Sequence, residues 1–129
     1  MNKVVLDASA LLAMIYEEPG QEKVKEMLSH SLISTVNFSE VVAKILDRQP
    51  ELSKIMVLTL LDSFRLNCID FDEEQAEIAG ELRPLTKKYG LSLGDRCCLA
   101  LAKQKTLKVL TADRQWAQID LGVEVELIR

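Results

Sequence analysis

Apolar residues recur along this chain in two rhythms. Short runs rich in β-branched residues, such as Val4-Val5-Leu6 and Leu107 to Leu110, stop at an acid or a hydroxyl, whereas longer stretches carry apolar positions three and four residues apart. The short runs predict strands over Val4 to Leu6, Leu32 to Thr35, Arg65 to Phe71, Thr106 to Leu110 and Val123 to Ile128. The longer rhythm predicts helices through Leu11 to Ile15, Gln21 to Ser29, Asn37 to Asp47, Pro50 to Phe64, Asp72 to Tyr89 and Ser92 to Lys103. Pro84 should kink or break the fifth of these. Strands alternating with helices imply right-handed crossovers and a largely parallel sheet of about five strands, covered on both faces. Pro19-Gly20, Pro50 and Gly90 separate elements rather than domains, so residues 1–129 are expected to form one unit. The stretch from Pro50 to Phe64 holds more Leu, Ile and Met than one small core needs. Its surplus is either core or an interface for a partner or a second copy.

Four acids stand out from this pattern because their neighbours are apolar or small. Asp7 ends the first strand, and Asp113 follows Val109-Leu110-Thr111-Ala112 at the end of the fourth. In an open α/β sheet, ligands bind beyond the carboxyl ends of the strands, so both acids should share one edge. Glu40, in Asn37-Phe38-Ser39-Glu40, and Asp95, in Ser92-Leu93-Gly94-Asp95, each lie three residues after a good N-cap. That spacing fits a capping box, in which the acid satisfies orphan amides. It equally fits a carboxylate kept ionised by the positive end of a helix. Asp113 is likewise open to two readings, a site acid or the cap of a short helix at Arg114-Gln115-Trp116. Ser9 and Thr111, two residues from Asp7 and Asp113, could orient a carboxylate through their hydroxyls, or simply serve as a helix cap and a strand-end turn.

Carboxylates ~4 Å apart repel by about 4 kcal/mol per pair at an effective dielectric of 20, so converging acids must protonate or bind cations. A donor set of hard oxygens with no second His and no paired Cys favours Mg²⁺ or Mn²⁺ over zinc.

The segments VLDASALLA near the start, the N-x-x-E helix start, LSLGDRCCLALA and VLTAD resemble, in this order, the signatures of PIN-domain ribonucleases. The short length and the phrase ELRPLTKKYGLSLGDRCCLALA are similar, more narrowly, to VapC-type toxins of toxin–antitoxin pairs. The resemblance implies a single PIN-like, Rossmann-like three-layer α/β/α domain. It also implies hydrolysis of RNA phosphodiesters with Mg²⁺ or Mn²⁺, by one ion or two. Asp7 and Asp95 would be the principal metal ligands, and Glu40 and Asp113 would bind directly or through water, one carboxylate being an alternative general base. Ser9 and Thr111 would support them. Expected partners are an RNA substrate, transfer or ribosomal, a small cognate antitoxin, and a second copy in a homodimer. A PIN-like module that binds RNA or protein without cutting is the alternative.

Composition narrows the field further. With 48% hydrophobic residues in 129, the chain can bury a core of its own. The net charge of −4 is unusual for a nucleic-acid binder, but divalent ions at the acids would offset it. Lys87, Lys88, Lys103, Lys105 and Lys108 supply local positive charge for phosphate or for an ordinary solvated face. Cys68, Cys97 and Cys98 form no C-x-x-C pair and are expected to be small core residues, consistent with a reducing cytoplasm. No apolar run is long enough to span a bilayer. Ser9 stands where a haloacid dehalogenase-type phosphatase needs its second acid, and P-loop and dinucleotide motifs do not occur.

Overall fold

The computed structural model describes residues 2–129. Five strands, β1 (Val4–Leu6), β2 (Ser31–Ser34), β3 (Asn67–Ile69), β4 (Lys108–Thr111) and β5 (Val125–Leu127), form one sheet in the order β3-β2-β1-β4-β5. Every pairing in it is parallel. The central strand β1 is wholly buried and pairs Val5 with Leu32 on one side and Val109 on the other.

Strand alternation sorts these residues into two cores. Val4, Leu6, Ile33 and Leu110 face a layer built by α1 (Ala8–Ile15), α2 (Gln21–Met27), α3 (Thr35–Arg48) and α4 (Lys54–Ser63). Val5, Leu32 and Val109 face the opposite layer, where α7 (Leu93–Lys105) contributes Cys98, Leu99, Leu101 and Ala102 beside the buried Trp116. The predicted three-layer α/β/α arrangement is therefore present. None of its described helices is long and apolar enough to cross a membrane.

The chain builds β2 and β3 on one side of β1 and then crosses to build β4 and β5 on the other. The reversal falls between β1 and β4, the place where open α/β sheets leave a crevice for ligands.

Several boundaries differ from the sequence pattern for identifiable reasons. The third helix begins at Thr35, capped by the Ser34 side chain on Val36 N, so Asn37 is inside the first turn and is not the cap. The helix expected from Pro50 starts at Lys54, because the Ser53 hydroxyl caps it at Met56 N. The helix expected over Asp72 to Tyr89 breaks into α5 (Glu73–Glu81), α6 (Arg83–Thr86) and a 3₁₀ turn over Lys87–Tyr89. Pro84 lies in the opening turn of α6, where its missing N–H has no partner to lose. Cys97 and Cys98 are buried as expected, but Cys68 is exposed, since β3 is an edge strand of three residues with an open outer face.

Candidate active site

Asp7 is the last residue of the buried run before α1 and also its N-cap, with Oδ1 accepting from Ala10 N at 2.8 Å. Ser9 Oγ donates to the same carboxylate at 2.8 Å, and Thr111 Oγ1 donates to Oδ2 at 2.5 Å. The two hydroxyls also join the strands, for Ser9 Oγ accepts from Ala112 N and Thr111 Oγ1 from Asp113 N, each at 3.0 Å. Both supporting hydroxyls thus act on Asp7. Burial pushes the Asp7 carboxyl up to about 6 from an ordinary 3.8; the three hydrogen bonds pull it down, and the charge of Asp95 adds to the rise.

Asp95 completes a capping box, with its backbone N–H donating to Ser92 Oγ at 3.1 Å and its Oδ2 accepting from Ser92 N at 2.9 Å. The structural reading of that motif is realised, yet its carboxyl still sits above the usual range, chiefly through burial and further through the charge of Asp113. The Asp113 side chain caps the 3₁₀ turn Arg114–Gln118 by accepting from Gln115 N at 3.0 Å, while Trp116 packs in the core.

Glu40 forms no capping box, because α3 begins too early, and lies in the second turn. Its Oε1 accepts from Asn37 Nδ2 at 2.8 Å, and the same amide donates to Gly94 O at 3.0 Å. The third and seventh helices therefore meet at this carboxylate. The sequence pattern marks Asn37 as an N-cap and singles out no role for Gly94. The buried state of Asn37 and the contact of Gly94 with Glu40 are visible only once both helices are placed.

The Cys98 thiol reports how these acids are grouped. It is buried on α7, and its pKa is pushed well up by burial first and then by the charges of Asp7, Asp95 and Glu40. The charges of three of the four acids therefore reach this thiol, and that of the fourth reaches Asp95. Among the described residues, no three His, Cys, Asp or Glu side chains are close enough to form a ready-made cation cage. Mg²⁺ commonly takes one or two carboxylates and keeps several waters, so an all-oxygen set with two acids of raised proton affinity fits such an ion.

The lysines lie elsewhere. Lys3, Lys103 and Lys108 line a cleft of about 850 Å³ at the amino ends of the strands, opposite the acids. Lys108 is engaged with Glu126 at 2.7 Å.

The PIN domain profile matches residues 4–121. Ribonuclease VapC42 of Mycobacterium tuberculosis (strain H37Rv) is 31% identical over 112 residues, which cover 78% of this chain and 82% of that protein. Among solved structures, the DNA-bound VapBC of Salmonella typhimurium superposes with a TM-score of 0.75 at 21% identity, covering 100% of both chains. The sarcin-ricin loop cleaving toxin VapC20 of M. tuberculosis superposes with a TM-score of 0.71 at 12% identity, over 90% of this chain and 94% of that one. With its sheet order, its switch-point acids and a family match over nearly its whole length, the chain belongs to the PIN domain family, on the VapC side of it.

Proposed function

We infer that this protein is a divalent-metal-dependent endoribonuclease acting as the toxin of a toxin–antitoxin pair. The observation that carries the reading is the buried Asp7 carboxylate at the β1/β4 switch point, held there by the Thr111 hydroxyl of β4. Burial raises the proton affinity of both Asp7 and Asp95 at a ligand crevice, which is a functional arrangement rather than a stabilising one.

In this mechanism Asp7 and Asp95 would hold the ion, with Glu40 and Asp113 binding it directly or through water. The chemistry such a Mg²⁺ or Mn²⁺ ion would supply there is stabilisation of charge on the phosphate and activation of water. Ser9 and Thr111 fix the rotamer of Asp7 through their hydrogen bonds to its carboxylate. The substrate class is RNA, with transfer and ribosomal RNA the first candidates.

The partner reading draws on α4. Part of its apolar surplus is core, through Val57 and Leu61, and part is not, since Ile55, Met56 and Leu60 are exposed. An apolar helix face of this kind suits protein contact, with an antitoxin or a second copy.

Purified, partner-free protein is incubated with total transfer and ribosomal RNA, in Mg²⁺ or Mn²⁺ and in EDTA, beside Asp7→Asn. Discrete metal-dependent fragments missing in the variant are the expected result. Intact RNA in every lane would turn the assignment toward a module that binds without cutting.

A further inference from the structure

We propose that Asn37 and Gly94 form a clamp that positions the Glu40 carboxylate, an inference that rests on the nuclease reading above. Asn37 is 1% exposed, and its Nδ2 has two neighbours, Glu40 Oε1 at 2.8 Å and Gly94 O at 3.0 Å. Both are acceptors, which fixes the amide with its NH₂ toward them and its Oδ1 away. Oδ1 is buried without a protein partner among the described residues. An amide that leaves one of its own atoms unpaired in order to grip a carboxylate is poorly explained as a device for stability.

Gly94 is the opposing surface. It is buried in the first turn of α7, and a methyl there would stand 2.7 Å from Glu40 Cδ and 2.8 Å from Oε1, closer than carbon packs. The missing side chain lets the carboxylate lie flat against the helix backbone, one residue from Asp95. Asn37 therefore acts through Glu40, and Gly94 through the space it leaves.

Gly94→Ala separates positioning from structure. Alanine is the better helix former, and the atoms it would displace are the free end of a flexible side chain, so a purely structural glycine predicts equal or better thermal stability and unchanged function. The clamp predicts a melting temperature in EDTA at or above the parent's. It also predicts a Mn²⁺ midpoint, read from thermal shifts with the metal alone, weakened by about 10–100-fold, and kcat on RNA lowered by a similar factor with KM little changed. Asn37→Ala should give the same Mn²⁺ and kcat losses, and it carries the test if Gly94→Ala does not fold. Parent-like midpoint and kcat in the folded variants would overturn the clamp. A parent that neither cuts RNA nor responds to Mn²⁺ would overturn the nuclease reading instead, and the clamp with it.

Discussion

Thr111 Oγ1 donates to Asp7 Oδ2 across a sequence separation of 104 residues, and accepts from Asp113 N on its other side. One hydroxyl thereby sets the carboxylate that ends β1 against the loop that follows β4. Thr111→Val keeps the shape and removes both roles. The proton affinity of Asp7 should rise further, and Mn²⁺ binding measured calorimetrically should weaken by about 10–100-fold. An unchanged affinity would show that Thr111 serves only the turn.

Asp7 also gives the metal-free protein a pH signature. Its folded pKa of about 6 lies above the ordinary 3.8, so the folded chain binds its proton more tightly than the unfolded chain does. Below pH 3.8 both states are protonated and nothing is lost; above about 6 both are ionised and the burial penalty is complete. The gap amounts to about 3 kcal/mol, lost as pH rises through that window. Asp7→Asn removes the penalty. In EDTA, urea melts at pH 4 and pH 7 should show the variant gaining on the parent by up to about 3 kcal/mol at the higher pH, and saturating Mn²⁺ should reverse the order by stabilising only the parent.

Asp95 carries two roles, and two substitutions separate them. Asp95→Ala removes the charge together with half of the capping box, so it should abolish cleavage and cost about 1 kcal/mol of stability. Asp95→Asn keeps an oxygen to accept from Ser92 N and loses only the charge. It should be equally inactive yet melt at or above the parent in EDTA. A stable, active Asn variant would remove Asp95 from the proposed ligand set.

The outer face of α4 is predicted to matter for association and not for folding. Ile55 is 76% exposed and Met56 58%, so Ile55→Glu/Met56→Glu should change stability by less than about 0.5 kcal/mol per site. Analytical ultracentrifugation should show any self-association of the parent reduced in the double variant, and a co-expressed antitoxin should be retained less well. Unaltered association by both measures would leave this face without a partner role.

Asp7 stood out in the sequence because it broke a local rule, ending a fully apolar strand. The second tasks of the acids were less legible. Asp95 and Asp113 both cap helical turns, and the same spacing announces a cap whether or not a metal is near. Glu40 shows the opposite failure. Asn37 three residues before it resembled a cap, but Ser34 and Thr35 are competing hydroxyls upstream, and Ser34 took that position, leaving Asn37 free to turn inward. Propensity cannot choose among adjacent capping residues; the docking of α3 against α7 does. Cys68 was misplaced for a related reason, since whether a strand is central or at the edge depends on sheet order rather than on its own residues.

The order β3-β2-β1-β4-β5 has a temporal consequence. A polypeptide made from its amino end presents β1, β2 and β3 early, while β4, the strand that delivers Thr111 and the loop to Asp113, comes late. Until β4 is made, Asp7 lies beside a gap where its neighbour strand has yet to arrive. Its hydroxyl partner, the nearby cap at Asp113 and the shape of the crevice come into being together, once β4 and the loop after it have been made. A chain stopped before β4 lacks Thr111 and Asp113, so its Asp7 has neither its partner hydroxyl nor its neighbour strand.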